Sequence, residues 1–477
     1  MAMFSNLKKL WSHFSLRRKR QYYFLLIFMI IVSFSEILSI GAVIPFLAVL
    51  ADPTVIYNQE YISLFKTVFN INQPKDLVLP FAITFMLAVL ISSLAKIVLL
   101  RFSTNLSYIS GLEIGSTIFK KTLYQSYQVH IESNSSEVIN GIVRKTDFII
   151  KDIIHETTRL ISAAFFFIIV LGFLIFINPQ MAISIFIGFG FLYSLIIYLN
   201  KSRLSSNSKR ISLNTNAVMK NLQESLGGIK QVILDGTQET FYKNFTVQDL
   251  NLKKAQANTF VLVSLPRFFI EGFGMIIISI VALYFSSRND GITEVIPFLG
   301  ALALGAQRLL PILNQAYQGI SLILGGEESL RDILNFLDRP YQLLETDKSC
   351  ELSLERKISF EQVSFKYKKN SENILSNLSF VIEKDSFVGF VGETGSGKTT
   401  VLDLILGILS PTKGDFLVDE TKIDINNLSG WQNNLSHVPQ DIFISDASIK
   451  ENIAFGHNIN DIDFNLVKKV AKEALIF

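Results

Sequence analysis

Six stretches of this chain are apolar over a length that crosses a bilayer: about 22–51, 78–101, 159–178, 180–200, 259–286 and 294–324. A spanning helix takes about 20 predominantly apolar residues. One such run can lie in a soluble core. Six in a chain of 477 residues require a solvent that accepts apolar surface on many sides. Helices suit that solvent because each satisfies its own backbone hydrogen bonds. The charged share agrees, at 18% against about 25% in soluble proteins. The first and last runs exceed the hydrocarbon thickness, so they tilt or project. The expected fold of residues 1–330 is an all-α, six-helix membrane domain.

Lys8, Lys9, Arg17, Arg18, Lys19 and Arg20 crowd the first 21 residues with no Asp or Glu among them. Directly before a long apolar run, such a cluster reads as positive-inside anchoring and places the N-terminus in the cytoplasm. No nucleic-acid role is expected, since the net charge is only +3. Cys350 is the sole cysteine, which excludes an intrachain disulfide and a cysteine metal cluster. The first run is too long for a signal-peptide core and lacks a small-residue cleavage site, so no cleaved leader is expected. The connections differ in length. Asn178-Pro179 joins the third and fourth runs, and Ser286 to Gly291 joins the fifth and sixth. Residues 102–158 and 201–258 are long, polar and carry Lys120, Lys121, Arg144, Lys145, Lys201, Arg203, Lys209 and Arg210, which puts both on the cytoplasmic side.

Ionisable residues inside the runs need protein or water around them, since each central charge costs about 2.5–3.5 kcal/mol on insertion. Glu36, Lys96, Arg101, Arg267, Glu271 and Arg308 are such residues. Arg267 and Glu271 stand one turn apart; they pair with each other, or Arg267 serves a substrate anion. Lys96 and Arg101 either snorkel to the headgroups or, for Lys96, face a cavity. Arg308 has no acid within a turn. Lys96, Arg267 and Arg308 are therefore the candidate cavity cations. In the outside loop at 52–77, Tyr61, Ile62, Leu64, Phe65, Val68 and Phe69 recur at helical spacing, opposite Glu60, Ser63, Lys66, Thr67 and Asn70. The pattern predicts an amphipathic helix over 58–70, lying in the outer interface or capping its own bundle.

After about Gly326 the long apolar runs stop and charges become dense up to Glu355, with a break at Arg339-Pro340. A linker over 331–354 leads to a second domain over 355–477. Ile358 to Phe365 and Leu378 to Ile382 read as strands. Phe387 to Val391 reads as a buried strand, running into Gly392-Glu393-Thr394-Gly395-Ser396-Gly397-Lys398-Thr399-Thr400 and a helix over Val401 to Leu409. This is the G-x-x-x-x-G-K-[ST] phosphate loop in its strand–loop–helix setting. Glycines let backbone amides curl around phosphate oxygens at the positive end of a helix. Lys398 reaches the β- and γ-phosphates, and the Thr399 hydroxyl ligates Mg2+.

Tyr367 lies 25 residues before Gly392, and Gln440 lies 42 after Lys398. In that order, behind six runs, these residues resemble the exporter-type ABC transporters. The resemblance makes Tyr367 the adenine-stacking ring and Gln440 the Q-loop glutamine at the magnesium site. Ser448 to Gly456 also looks like this family. The implied cofactors are ATP and Mg2+, with Gly392 through Thr400 around the phosphates. The resemblance also implies a coupling helix within Glu224 to Glu239 and a working pair of chains, as a homodimer or with a half-transporter partner. It implies a multi-pass protein of the bacterial inner (plasma) membrane with a cytoplasmic ATP-binding domain. The family's LSGGQ signature, Walker B Asp-Glu and switch histidine have no match up to Phe477; His437 and His457 stand elsewhere. The expected second domain is thus the N-terminal half of an α/β P-loop nucleotide-binding domain. It lacks the catalytic Glu, and the chain alone is expected to hydrolyse ATP negligibly.

Within the family, Leu265-Pro266-Arg267, Glu271-Gly272-Phe273-Gly274, Arg308-Leu309-Leu310-Pro311 and the outer helix look most like the lipid-linked oligosaccharide flippases of bacterial protein glycosylation. That likeness implies a membrane-lipid cargo bearing a glycan and a pyrophosphate, which cavity arginines suit. Export of peptides, drugs or other lipids by the same machine is the alternative, and a truncated, non-hydrolysing ATP-binding partner is another.

Overall fold

A computed structural model describes the chain apart from residues 1, 52, 59–61, 63–70, 72, 133–134, 178, 287–309, 340, 342–351, 369–370, 441 and 476–477. The chain divides into two compact units, Met1–Gln342 and Leu343–Phe477. The expected amphipathic helix over 58–70 lies almost wholly outside the described residues, and so does the first half of the sixth apolar run.

The first unit is built from long helices. In chain order these are α1 (Ala2–His13), α2 (Leu16–Ala51), α3 (Val78–Leu123), α4 (Glu156–Ile177), α5 (Pro179–Gly227), α6 (Gln238–Ser286), α7 (310–325) and α8 (Glu327–Asp338). Hydropathy marks where a helix touches lipid rather than where it ends. The apolar runs stop at 101 and 200, yet α3 continues to Leu123 and α5 to Gly227. At 1.5 Å per residue the 49 residues of α5 measure about 70 Å, more than twice a hydrocarbon core. Among the described residues three segments, Leu16–Ser39, Pro74–Leu123 and Glu137–Gly172, are long and apolar enough to cross a membrane. Their apolar side chains, such as Leu87, Leu90, Ile91 and Leu94 on α3, remain exposed.

Two π-helical turns, Gly141–Lys145 and Ile149–His155, precede α4. They lie against α3 at Gly111, where an added Cβ would come within 2.1 Å of the Ile150 side chain. A larger residue there would have to displace the Ile150 side chain. α8 buries Leu330, Ile333, Leu334, Phe336 and Leu337 in one core with Leu10 and Phe14 at the N-terminus and Ile149 and Ile153 of the second π turn. The first part of the expected linker is therefore a packed helix of the bundle. Polar pins hold it. Lys145 Nζ donates to Asp332 Oδ2 at 2.6 Å, the Ser212 hydroxyl donates to the same oxygen at 2.9 Å, and Lys121 donates to the Leu337 carbonyl. Asp338, at the end of α8, pairs with Lys9 and lies 3.2 Å from His13 Nε2.

A short helix, Ile229–Leu234, turns the chain between α5 and α6. It occupies the segment where the coupling helix was expected. Leu226, Ile229, Ile233 and Leu234 there are exposed.

The second unit holds a four-stranded antiparallel sheet in the order β2-β1-β3-β4. Its strands are β1 (Lys357–Phe365), β2 (Leu375–Glu383), β3 (Lys413–Val418) and β4 (Thr421–Lys422). β1 and β2 cover the two segments read as strands from their aromatic and β-branched residues. α9 (Lys398–Ile405) packs Val401 and Leu404 onto Phe360, Val363, Phe365 and Phe416. Trp431, 2% exposed, closes the core and donates its indole N–H to the Ile405 carbonyl at 2.7 Å.

The buried strand expected at 387–391 is not formed. The backbone there is irregular, and Phe387 and Val391 are fully exposed. Apolar composition favours a strand, but a strand also needs a neighbour's ladder of hydrogen bonds. Among the described residues no strand pairs with this segment.

Candidate functional site

The phosphate loop begins after the irregular segment and ends at α9. Gly395 and Gly397 have φ of +88° and +92°, a region closed to most side chains. Space is short as well. A Cβ on Gly397 would come within 2.8 Å of Leu375 Cδ2, and one on Gly392 within 2.8 Å of the Ser396 hydroxyl. The Ser396 amide donates back to the Glu393 carbonyl at 3.2 Å, which closes the turn. Lys398 opens α9, and its ammonium donates to the carbonyls of Gly392 and Glu393 at 2.8 and 2.7 Å. The cation is thus held inside the arch of its own loop, beside the free amides of the helix N-terminus. Oxyanions suit that position, so the residues present fit a phosphate group.

Tyr367, which follows β1, is brought to the same place. Its hydroxyl lies 3.1 Å from the Thr400 hydroxyl, and its ring meets Phe365 edge-on at 5.0 Å. Thr400 is buried while Thr399 is exposed. Gln440 is exposed on an irregular stretch, and its side chain makes no hydrogen bond among the described residues. Asp403 on α9 has its carboxyl pushed up by burial, with the opposing charge of His437 drawing it down.

The cavity candidates separate. Arg267 Nε donates to Glu271 Oε1 at 2.8 Å on one face of α6, and both side chains are exposed. Arg308 lies outside the described residues. Lys96 is in a pocket of about 460 Å³ between α2, α3, α4 and α7. It pairs there with the buried Glu36, which also accepts from the Ser92 hydroxyl at 3.0 Å, and it lies 5.9 Å from the Phe166 ring. Arg159 and Gln315 line the same pocket, with Arg159 bonded to Glu156 at 2.7 Å and Gln315 donating to the Arg159 carbonyl at 3.3 Å. Neither residue stands out as a site residue in the sequence. Arg159 stands at the edge of an apolar run, where it reads as a headgroup anchor, and Gln315 carries no charge.

Profiles of known families match both units. The ABC transporter transmembrane region matches residues 22–291, and a second family model, ABC transporter, matches residues 375–475. The chain is 26% identical over 332 residues to the heterocyst differentiation ATP-binding protein HepA of Nostoc sp., covering 68% of this chain and 53% of that one. It is 23% identical over 363 residues to the ATP-dependent lipid A-core flippase of Paraburkholderia xenovorans, covering 74% and 60%. Against these relatives the chain spans between half and two thirds of their length. A solved bacterial Atm1-family ABC exporter with ATP bound superposes with a TM-score of 0.70 at 17% identity, over 92% of this chain and 76% of that chain. A membrane helix bundle matched along most of its length, followed by a matched phosphate-loop unit, makes this chain a member of the exporter-type ABC transporters.

Proposed function

We propose that this chain serves ATP-driven transfer of an amphipathic lipid across a membrane, and that the lipid is a pyrophosphate-linked oligosaccharide. The observation that carries the cargo assignment is the Glu36–Lys96–Arg159 pocket. It places charges, with the hydroxyls of Ser33, Ser103, Thr158 and Ser162, beside apolar side chains such as Met29, Val32 and Phe166. A polar headgroup needs such surroundings to leave the interface, while its tails stay with lipid. Relatives named ATP-dependent lipid A-core flippase support the coarser reading of a lipid cargo. Lys96, with Arg308, supplies cations for the pyrophosphate, while Arg267 is held by Glu271. ATP and Mg2+ belong at the phosphate loop: Gly392 to Thr400 cradle the phosphates, Lys398 neutralises them, Thr399 and Gln440 attend the metal, and Tyr367 supports the base. The chain works as one of a pair, and basic residues at its N-terminus and along α5 keep those ends and the ATP-binding unit in the cytoplasm.

The test uses the chain in phosphatidylcholine nanodiscs, titrated with a fluorescent polyprenyl-pyrophosphate oligosaccharide. The matched polyprenol is the control. The pyrophosphate form should bind at least tenfold tighter, and Lys96→Gln should reduce that preference. Equal binding of the two, or displacement by a hydrophobic peptide alone, rejects the cargo assignment.

A further inference from the structure

Between α5 and α6 lies a second pocket, of about 520 Å³. Ser202, Arg203, Ser206, Asn207, Arg210 and Asn258 supply its polar lining, and Val261 and Leu262 its apolar wall. None of these six polar side chains makes a hydrogen bond or ion pair among the described residues, and no carboxylate lines the pocket. Lys201 and Lys209, beside them on α5, likewise have no ion pair among the described residues, but they do not line the pocket; cations farther along α5 and α6 do pair. Lys220, Lys243 and Lys253 each pair with an acid one turn away on the same helix, as does Arg267. Asn207 is only 8% exposed, and its amide has no protein partner among the described residues. Polar groups drawn off the surface are normally satisfied, and a largely buried amide without a protein partner, beside two exposed guanidiniums that face no carboxylate, suits an acceptor-rich ligand. Arg203 and Arg210 stand two turns apart on one face of α5, with Ser206 and Asn207 between them.

Position narrows the ligand. The expected spans end at 200 on α5 and begin at 259 on α6, so both helices cross the same membrane face at this pocket. That is the depth of lipid headgroups. Guanidinium forks match phosphate oxygens in pairs, and Val261 and Leu262 continue toward the apolar layer. We propose that this pocket docks the diphosphate headgroup of a membrane amphiphile, at a station separate from the Lys96 pocket. The lipid identity rests on the proposed function, whereas the site chemistry does not.

The experiment compares the chain carrying Lys398→Ala, which silences the phosphate loop, with the same chain bearing Arg203→Gln, Arg210→Gln, both, or both changed to Lys. Polyprenyl pyrophosphate in phosphatidylcholine nanodiscs and inorganic pyrophosphate are the two probes. Affinity is measured together with protection of Arg203 and Arg210 from phenylglyoxal, read by peptide mass spectrometry. Each Gln substitution should weaken polyprenyl pyrophosphate about tenfold, the scale of one charge-assisted hydrogen bond. The Lys pair should retain part of the affinity, and the lipid probe should protect both arginines. Unchanged melting temperatures show that the variants fold. If polyprenyl pyrophosphate binds without protecting these arginines and ignores their substitution, the cargo reading stands and this site is rejected as a solvated basic belt. Protection by inorganic pyrophosphate alone rejects the lipid as ligand. Failure of the lipid probe to bind at all rejects both.

Discussion

The two units of this chain hold their charges in different ways. In the helical unit the buried and part-buried charges find other side chains: Glu36 with Lys96, Lys145 with Asp332, Arg18 with Glu113; Lys121 reaches a carbonyl only at the end of α8. In the second unit key charges find backbone. Lys398 donates to two carbonyls of its loop, and Asp419 accepts from the amides of Glu355, Arg356 and Lys357. The cause is secondary structure. A long helix spends the amides and carbonyls of its interior on its own i→i−4 bonds, so a charge along it looks to another side chain, and carbonyls stay open only at helix ends. Turns and loops leave backbone groups open. Exposed apolar side chains divide along the same line. On α3 they sit on a backbone that is fully bonded, which suits lipid. Phe387 and Val391 sit on a backbone that has no ladder, which suits a strand partner.

The largest effect should come from the helical unit. Lys145 is 4% exposed, and Asp332 is its ion-pair partner. Lys145→Met strands the carboxylate with only the Ser212 hydroxyl, and removing one member of a buried pair costs about 3–5 kcal/mol. The double change Lys145→Met with Asp332→Leu should recover most of that loss, since a well-packed apolar replacement of a buried pair is often neutral. Thermal unfolding of the chain in detergent, followed by helical circular dichroism, reads both. A single variant that melts with the wild type would show that side-chain pairing does not hold α8.

The next effect belongs to the loop. Lys398→Ala removes a cation that the backbone stations for phosphate. ATP affinity should fall roughly ten- to a hundredfold, the range for hydrogen bonds to a charged group. Equilibrium binding of labelled ATP checks this, and undiminished binding would remove the phosphate role from this arch.

How much of this was legible beforehand follows from distance along the chain. The phosphate loop is nine contiguous residues ending at Thr400, and Tyr367 and Gln440 fell at readable spacings from it. The long helices announced themselves by hydropathy, and β1 and β2 by their aromatic and β-branched content. The pairings did not. Lys145 and Asp332 are 187 residues apart, and nothing local to either names the other. Glu36 and Lys96 were each conspicuous as charges in apolar runs, but their union is a fact of how α2 packs on α3. The segment 387–391 misled because apolar content is local while a ladder is not. The π turns before α4 carry no sequence signal that separates them from ordinary helix.

The smallest effect tests the backbone-held anion. Asp419 sits between β3 and β4 with φ of +54°. The Glu355 amide above all, then the Lys357 and Arg356 amides, hold its carboxyl below the usual carboxylate range, against a small opposing pull from burial. The sign of the pH dependence follows. An unfolded aspartate titrates near 3.9, so the ionised, amide-bound form favours folding above that value. The contribution is lost as pH falls through the depressed folded value. Asp419→Asn should therefore lower the melting temperature of the second unit at neutral pH by a small amount, and the gap from wild type should close on acidification below pH 4. Trp431 reports the transition when Trp11, the other tryptophan, is changed to Phe. A gap that stays constant from pH 7 to pH 3 would mean that the three amides bind Asn as well as Asp. The second unit would then rely on turn geometry alone, and its contrast with the helical unit would rest on Lys398.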